Sequence, residues 1–304
     1  LDSISSKTDG VTLTLSTGEI FFASALVLAI GNGARDTIRM LHKKKLPMEA
    51  KSLAVGVRIE HPQSMIDAHA YGSESMRDQL PAANYKVTGK TSTGHGVYSF
   101  CMCPGGYVVN ASSEAKRLVV NGMSYHDRAG QNANSAIIVT VSPEDCETPS
   151  DPLCLLKYQE QMEEKAFALC NGRLPQQRFG DFKNNLPSTE SDAFPSVHKG
   201  LAAWTNLRGL FSPTWERAFL EGMEHFGKII PGFDREDAIL TAIESRTSSP
   251  VRMLRDETYQ SPLRAIYPCG EGAGYAGGIV SAAMDGIRIA QAIAHRYQPF
   301  ERDI

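Results

Sequence analysis

The sequence has little net charge, only two tryptophans and no long apolar run. Its 304 residues hold 31 Lys and Arg against 34 Asp and Glu, which gives a formal net charge of −3 at pH 7. This balance provides no general attraction to nucleic-acid phosphates. No apolar run approaches the roughly 20 residues of a membrane-spanning helix, and no signal peptide is recognisable. The sequence therefore predicts a cytoplasmic location with neither a nucleic-acid nor a membrane partner.

Cysteine and histidine are too irregularly spaced to predict a disulfide framework or a zinc site. A chain of this length does not need disulfides to stabilise its core, and no Cys/His cluster has zinc-finger spacing. We therefore expect free thiols and no metal. The six cysteines are Cys101, Cys103, Cys146, Cys154, Cys170 and Cys269.

The densest group of glycines lies near the C-terminus. An apolar strand is predicted over 265–267, five of the nine residues 270–278 are glycine, and a helix of small residues follows. Each glycine costs backbone entropy but lets the backbone approach a ligand, so a simple turn does not account for five of them. No Lys-Ser/Thr pair follows, which excludes a P-loop. Glu271 can accept hydrogen bonds from sugar-like hydroxyls, and the helix start offers N–H groups. These features can hold a flavin nucleotide.

The same segment resembles the second FAD-contacting motif of glutathione-reductase-type flavoproteins. In that superfamily a strand ends in Gly-Asp, the acid binds the ribitol, and the next helix directs its N-terminus at the flavin ring. Glu271 stands here in place of the Asp. The resemblance implies FAD as cofactor, with contacts from Gly31, Gly270, Glu271, Gly272, Ala273, Gly274, Tyr275, Gly277, Gly278 and Ile279.

Other segments resemble, in the same order, a family of uncharacterised FAD-dependent dehydrogenases of bacteria. They are residues 25–41, 48–63, 99–106, 110–114 and 244–252. The sequence departs from the family at Asn32-Gly33, where His-Ser is expected.

Flavoproteins of this type begin with a strand, Gly-x-Gly-x-x-Gly and a helix for the pyrophosphate, followed by an acid for the ribose. We find no such element in this sequence, and Gly31-Asn32-Gly33 is too short a match. The resemblance therefore implies a fragment, the C-terminal part of a longer flavoprotein, and we expect it to bind FAD weakly or not at all on its own.

The hydrophobic pattern predicts an α/β fold with a β-rich and helical middle region. The resemblance implies that the outer segments are the C-terminal part of a Rossmann-like FAD-binding domain, which this β-rich and helical substrate domain interrupts. Residues 1–49 and 240–304 are assigned to the former and 50–239 to the latter, whose sheet is expected to be mixed or antiparallel. We predict a hairpin over 11–23, strands at 25–30, 54–59, 85–88, 97–102, 107–110, 117–120, 136–141 and 239–245, helices at 36–45, 155–169 and 215–226, and irregular connections over 142–152 and 173–200.

Three arginines lie close to the glycine-rich segment. Arg252 is the strongest candidate to bind a carboxylate or phosphate through two parallel hydrogen bonds. Alternatively, Arg252 forms ion pairs with neighbouring acids, as do Arg246 and Arg255.

Further catalytic candidates lie in the predicted substrate domain. His61 can serve as a general acid or base, or it is a structural histidine. Cys101 and Cys103 share a face of a predicted strand, so they can exchange electrons with a flavin or form a thiol adduct; alternatively they are buried free thiols. His95 and Cys269 are weaker candidates.

The favoured hypothesis is a dehydrogenase-like, FAD-dependent oxidoreductase that acts on a small molecule. NAD(P)H is a candidate electron donor. Two alternatives stay open. One is a flavin-dependent RNA-modifying enzyme, which needs a basic face that a net charge of −3 does not indicate. The other is a protein that binds or senses FAD without turnover.

Overall fold

The computed structural model describes residues 1–72 and 79–297, and the chain divides into two compact units. The first unit comprises Leu1–Leu53, Ser142–Lys157 and Ser248–Ile304, and the second comprises Ala54–Val141 and Tyr158–Thr247. These boundaries lie a few residues beyond those drawn from the sequence. The segment Ser142–Lys157 joins the first unit because Leu153 and Leu156 belong to its hydrophobic core.

The described residues form a mixed α/β protein with 16 strands and six α-helices. The strands are β1 (Ser3–Ser6), β2 (Val11–Thr14), β3 (Ile20–Ala23), β4 (Leu26–Leu28), β5 (Met48–Ala50), β6 (Leu53–Pro62), β7 (Thr88–Lys90), β8 (Gly96–Asn110), β9 (Val120–Ser124), β10 (Asn132–Val141), β11 (Leu174–Arg178), β12 (His198–Lys199), β13 (Ala202–Trp204), β14 (Ile239–Glu244), β15 (Val251–Met253) and β16 (Ile266–Pro268). The helices are α1 (Arg35–Lys43), α2 (Gln63–Tyr71), α3 (Cys154–Cys170), α4 (Phe179–Asn184), α5 (Pro213–Ile229) and α6 (Ile279–Arg296).

Three small sheets build the first unit. β1, β2 and β3 form an antiparallel sheet, β5 pairs antiparallel with β15, and β4 pairs parallel with β16. A shared core of aliphatic side chains, including Leu28, Ile38 and Ile266, holds these sheets and α1 together. α6 packs through Ile289 against Tyr267 of β16. The unit thereby places the end of β16 directly before the loop that leads into α6.

A nine-stranded mixed sheet forms the second unit. Its strand order is β12-β8-β10-β6-β14-β11-β13, and β7 and β9 also pair with β8. Most pairs are antiparallel, while β12 with β8 and β11 with β13 are parallel. The pairing of β8 with β10 shifts register around Asn134, opposite Cys103, which marks a β-bulge in the long strand β8.

Aromatic packing attaches α5 to this sheet. The Ser212 hydroxyl caps the helix by accepting a hydrogen bond from the Trp215 N–H. The Trp215 ring stacks between Phe211 and Phe219, with ring centroids 3.6 and 5.1 Å away. Its indole N–H donates to the Val55 carbonyl of β6 at 3.0 Å, so the largest buried ring also satisfies its polar atom.

The predictions of the hairpin, of the parallel strand near residue 27, and of α1, α3, α5 and β14 are confirmed within one to two residues at most ends. Two strand predictions are wrong in position, since β7 and β9 begin where 85–88 and 117–120 were expected to end. The strands predicted at 97–102 and 107–110 are one continuous strand, β8, which carries the bulge rather than a turn.

α2 and β11 were missed because their inward faces are polar. α2 buries Gln63 and Asp67, which hydrogen-bond each other at 2.8 Å, so its hydrophobic periodicity is weak. The predicted connection over 173–200 contains β11, α4 and β12. β11 buries Gln176 and Gln177, whose amides find partners in the fold, and this hides the strand from a hydrophobic pattern.

Candidate functional site

Three of the five glycines in the loop over 270–278 are required by the fold itself. Gly270 and Gly274 have φ of +71° and +87°, which other residues rarely adopt. A Cβ on Gly274 would lie 2.6 Å from the Val251 carbonyl oxygen, and one on Gly272 would lie 2.2 Å from that of Gly31. These contacts bring the glycine turn after β4 against the loop after β16.

The other two glycines, Gly277 and Gly278, are not required by the described fold. A Cβ on either would meet no atom within 4 Å, and Gly278 has an extended backbone (φ 178°) that any residue adopts. Gly278 is the N-cap of α6, and no side chain caps the helix there. The next residues, Ile279 and Val280, are 90 % and 72 % exposed. The start of α6 is therefore open at two glycines that the chain's own packing does not explain.

The expectation that no Gly-x-Gly-x-x-Gly spacing stands between a strand and a helix is wrong, because this loop contains one. Gly272-Ala-Gly-Tyr-Ala-Gly277 matches Gly-x-Gly-x-x-Gly between a parallel strand and a helix. In the pyrophosphate-binding motif the third glycine permits close packing of helix and strand. Gly277 instead precedes α6 and has open space beside it. This geometry does not favour a pyrophosphate site here.

Glu271 lies in the same loop within a small charged group. Partial burial raises the pKa of Glu271, and the ammonium of Lys51 opposes this rise. The pKa of Lys51 is lowered by burial and by the nearby Arg252 guanidinium, and the Glu271 carboxylate counteracts that shift. Sequence reasoning missed Lys51, because a single lysine 220 residues before Glu271 carries no motif.

The turn after β4 supplies a polar atom without a partner. Gly31 has φ +67° and needs glycine for that reason. The neighbouring Asn32 holds its side-chain Nδ2 buried, with no hydrogen-bond acceptor among the described residues. A buried donor of this kind costs about 1–3 kcal/mol unless an acceptor reaches it. Asn32 and Gly33 are the two positions at which the sequence departs from the pattern that the resemblance implies.

Arg255 holds the loop in place. Its guanidinium donates to Asp285 of α6 at 2.6 and 2.9 Å and to the Pro268 carbonyl at 2.7 Å. Asp285 also accepts from the Gly270 N–H at 2.8 Å, and the Tyr275 ring stacks 3.5 Å from the guanidinium. Arg255 therefore acts as a clamp between β16, the loop and α6.

Arg252 occupies a more open position. Its side chain is 42 % exposed, and its Nη1 lies 3.5 Å from Glu49 Oε1 across the β5–β15 pair. Its Nε is buried without a partner in the described part of the chain. The guanidinium also lies 5.6 Å from the Tyr275 ring. The structure thus places Arg252 beside the glycine loop with a weak surface ion pair.

His61 is enclosed by the second unit. Its Nε2–H donates to the Phe233 carbonyl at 2.7 Å, and its ring packs 4.5 Å from the Phe233 ring. Burial lowers the pKa of His61 to about 4, so the imidazole is neutral at pH 7. These contacts are those of a structural histidine and give it no open face for a substrate.

Cys101 and Cys103 lie at the bulge of β8, where the strand's alternation is broken. Cys101 is exposed with φ +44°, whereas Cys103 is partly buried. The Cys103 thiol donates to the Cys101 carbonyl at 3.3 Å, and burial raises its pKa. The register shift interrupts the regular alternation on which the expectation of a shared strand face depends, and the two thiols differ in exposure.

The Cys101 carbonyl is also held by Arg58, whose guanidinium is fully buried. Arg58 pairs with Glu244 and donates to Cys101 O at 2.7 Å, Asn121 Oδ1 at 2.8 Å and Asn134 Oδ1 at 3.2 Å. This network connects β6, β8, β9, β10 and β14 and explains why charged residues occupy the middle of the sheet.

The remaining candidates have structural partners. Arg246 pairs with Glu163 and Glu114, His95 lies in a turn beside Thr93, and Cys269 is buried after β16. Among residues 1–72 and 79–297, no three His, Cys, Asp or Glu side chains are placed to hold a metal ion. Over the same residues, no helix has the length and apolar character needed to cross a membrane.

Comparison with known proteins agrees with the flavin-related motifs. A family model described as "FAD-dependent protein, C-terminal domain-like" matches residues 52–247, which include the whole second unit. The chain is also 45 % identical over 302 residues to a Clostridium beijerinckii protein that carries the name "Uncharacterized protein". The aligned region covers 98 % of this chain and 56 % of that relative, so the chain spans a little over half of the relative's length. Since the family model matches well over half of its residues, the chain belongs to the FAD-dependent protein family, C-terminal domain-like.

Proposed function

We propose that this chain is part of an FAD-dependent oxidoreductase that acts on a small molecule, and that the loop over 270–279 contacts the flavin. The observation that supports the proposal is that the loop contains two groups of glycines, one that the fold requires and one that it does not. Gly270, Gly272 and Gly274 are explained by the chain's own backbone, whereas Gly277 and Gly278 leave the start of α6 open. Glycine at such positions permits close approach of a planar ligand to backbone N–H groups.

The surrounding residues fit one end of a flavin nucleotide. The Glu271 carboxylate would accept hydrogen bonds from ribitol hydroxyls, and the Lys51 ammonium would favour its ionised form against the rise in pKa that burial causes. The unpartnered Asn32 Nδ2 would donate to an acceptor on the cofactor. The positive end of the α6 dipole would stabilise negative charge near the helix start.

FAD, when bound, would accept a hydride from one partner and pass electrons to another. The chain's own residues bind and orient: Arg255 and Asp285 fix the loop to α6, while Arg252 offers a cation beside Tyr275. We propose that Arg252 attracts an anionic group of the substrate or cofactor. No residue in the described part of the chain is assigned a proton-transfer role in this reaction.

We further propose that the first unit is the C-terminal part of a Rossmann-like FAD-binding domain whose pyrophosphate-binding part lies elsewhere in the longer protein. Two strands are few for a parallel sheet, which is normally covered on both faces. α6 carries an exposed apolar face formed by Ile279, Val280, Met284 and Ile287. The relative is long enough to supply the elements that would cover both features.

The test compares this chain with a longer protein that contains it and matches the full length of the Clostridium beijerinckii relative, hereafter the relative-length protein. An absorption spectrum after gel filtration shows whether FAD is retained, and a screen of donors, beginning with NADH and NADPH, follows bleaching of the flavin band under anaerobic conditions. Bleaching followed by reoxidation with a small-molecule acceptor supports the oxidoreductase. A flavin that no donor reduces would instead favour a binding or sensing protein.

A further inference from the structure

Two consecutive hydrogen bonds join the buried carboxyl of Glu60 to a half-buried histidine in the second unit. Glu60 Oε1 lies 2.6 Å from Ser196 Oγ, and Ser196 Oγ lies 3.1 Å from His198 Nδ1. Glu60 is fully buried on β6, whereas Ser196 and His198 are half-buried. His198 is the first residue of β12, and all three residues belong to the same unit. The two hydrogen bonds therefore connect the interior of the sheet to a partly exposed imidazole.

The other contacts of the carboxyl and the hydroxyl are all with donors. Glu60 Oε2 accepts from the Val197 N–H at 2.8 Å and from Asn132 Nδ2 at 2.9 Å. Ser196 Oγ accepts from Gln176 Nε2 at 2.7 Å. A proton on the Glu60 carboxyl therefore fits on Oε1, facing Ser196. The Ser196 hydroxyl has one proton and one lone pair left for its two remaining contacts.

Two arrangements of the protons satisfy both hydrogen bonds. In the first, protonated Glu60 donates to Ser196, and Ser196 donates to Nδ1 of a neutral His198. In the second, ionised Glu60 accepts from Ser196, and Ser196 accepts from the Nδ1–H of His198. Both arrangements use the same positions of the heavy atoms. The protons can therefore change places without movement of the backbone.

We propose that Glu60, Ser196 and His198 are a proton relay, an acid–base site that exchanges one proton between the interior of the sheet and water. The Glu60 O–H bond breaks as a new O–H bond forms at Ser196, and the former Ser196 O–H bond breaks as an N–H bond forms at His198 Nδ1. The proton on His198 Nε2 then passes to water. Glu60 is left ionised, and His198 is neutral again with its proton on Nδ1 and with Nε2 able to accept a proton.

Burial determines the pH at which the relay releases its proton. It raises the pKa of Glu60 to about 7, although hydrogen bonds from Ser196, Val197 and Asn132 oppose this rise. Partial burial lowers the pKa of His198, which favours the neutral imidazole. Both shifts keep the proton on Glu60 below about pH 7 and release it as the pH rises above that value.

Charged and titratable side chains on the elements around Glu60 have other partners. They are Arg58 with Glu244, Arg178 with Asp181, Lys199 over the rings of Tyr107 and Tyr125, and His61 with the Phe233 carbonyl. Glu190 and Asp192, in the connection before β12, are exposed, and β10 carries no charged residue. The protonation of Glu60 is thus governed by its burial and by the hydrogen bonds that it accepts.

Nitrogen NMR of the histidine rings, from pH 6 to pH 8, tests the relay in the whole chain. The chain has eight histidines, and His198→Gln identifies the signals of His198. An ordinary histidine loses a ring proton as the pH rises. His198 Nδ1 should instead gain a proton as the pH rises through about 7. Over the same range the infrared carbonyl band of protonated Glu60, identified with Glu60→Gln, should disappear.

Three variants examine the link between the two ends. Ser196→Ala removes the hydroxyl in the middle and should abolish the gain of a proton at His198 Nδ1, whereas Ser196→Thr keeps a hydroxyl and should retain it. Ser191→Ala, a change five residues earlier in the same connection, is the matched control and should leave the gain intact.

The proposal is overturned if His198 Nδ1 keeps one protonation state while the Glu60 band disappears, or if Glu60 does not titrate between pH 6 and pH 8. It is also overturned if the gain at Nδ1 persists in Ser196→Ala. The wild-type titration decides the matter even where Ser196→Ala does not fold. None of these outcomes depends on flavin binding, so the result is separate from the proposed function.

Discussion

At the scale of single residues, Glu271 is the side chain whose role is most directly measurable. We expect Glu271→Ala in the relative-length protein to weaken FAD binding by about 1.5–3 kcal/mol, the value of a hydrogen bond to a charged group. Isothermal calorimetry on apoprotein gives the dissociation constant. The fold should be unaffected, because the Glu271 side chain lies at a partly exposed loop position.

Two controls separate the charge of Glu271 from its hydrogen bonds. Glu271→Gln keeps an acceptor and should recover part of the affinity. Lys51→Met removes the cation that opposes the raised pKa of Glu271, so affinity in this variant should decline as the pH falls towards that pKa. An unchanged dissociation constant in Glu271→Ala would show that the carboxylate does not touch the ribitol.

The loop glycines give a paired prediction. Gly278→Ala should leave the thermal stability of the chain unchanged, since its Cβ meets nothing and its φ is extended. In the relative-length protein it should weaken FAD binding and lower the flavin reduction potential, because the added methyl would separate the ring from the start of α6. Spectroelectrochemical titration measures the potential, and an unaltered potential in a flavin-loaded variant would reject this interpretation.

Gly274→Ala is the matched contrast. Here the Cβ would lie 2.6 Å from the Val251 carbonyl oxygen and φ is +87°, so the chain itself should lose stability by about 1–3 kcal/mol. Thermal unfolding without any flavin should show the loss in Gly274→Ala and not in Gly278→Ala. Equal losses would mean that Gly278 serves the fold after all.

Glu60 gives a pH dependence of stability. It is fully buried on β6, accepts from Ser196 Oγ at 2.6 Å and from the Val197 N–H at 2.8 Å, and burial raises its pKa from 4.5 to about 7. The folded state therefore holds more protons than the unfolded state between these values, and the free energy of unfolding falls as pH rises through this range, by about 3 kcal/mol in all. Glu60→Gln should flatten that slope in urea titrations at pH 5 and pH 8, whereas an unaltered slope would assign it to other groups.

At the scale of elements, the sequence predicts helices and strands best where their buried faces are apolar. α5 follows helical spacing with Trp215, Phe219 and Phe226 inward, and it was predicted. α2 and β11 bury glutamines instead. Gln63 donates to the Ala83 carbonyl and Gln177 donates to Asn206, 20 and 29 residues away in sequence, so no local pattern shows these buried faces. The sequence predicts a ligand-binding role for the glycine loop. Which of its glycines the fold requires depends on contacts with Val251 and Gly31, which only the structure shows.

The attachment of α6 depends on the clamp between Arg255 and Asp285. Burial alone would raise the pKa of Asp285, but hydrogen bonds from Arg255 and from the Gly270 N–H hold it below its usual value of 3.8. This stabilisation is present above about pH 4 and is lost as pH falls below it, because only the unfolded carboxyl has taken up its proton there. Asp285→Asn should destabilise the chain by about 1.5–3 kcal/mol at pH 7 and should remove this acid-dependent part.

Denaturant titrations of the wild type and Asp285→Asn at pH 7 and pH 3 measure this coupling. The difference between the two proteins should shrink at the lower pH. A constant difference would mean that Asp285 acts through packing rather than through its charge. Glu257→Gln, a change at a nearby exposed position, is a suitable control.

At the scale of the whole molecule, the apolar face of α6 stands out. Val280, Met284 and Ile287 recur at helical spacing and are 72 %, 49 % and 60 % exposed, while the opposite face buries Asp285 and Ile289. Contiguous exposed apolar surface on a helix is typical of an interaction site. Together with the two-stranded parallel sheet, it favours a longer polypeptide in which further elements cover this face.

We predict that the apolar face of α6 is needed for cofactor binding. The relative-length protein should be purified yellow and this chain nearly colourless, because the helix start that binds pyrophosphate is expected in the additional part. Ile287→Glu should abolish FAD binding by the relative-length protein, because it should prevent the additional part from packing on α6. This effect is expected although Ile287 lies more than two helical turns from Gly278. In this chain alone the same change should raise solubility and leave thermal stability unchanged, since the side chain is exposed. Leu201→Glu, a change at a still more exposed position in the second unit, should leave FAD content unaltered. If this chain retained stoichiometric FAD through gel filtration, or if Ile287→Glu left the longer protein fully loaded, α6 would not be the surface on which the cofactor site is completed.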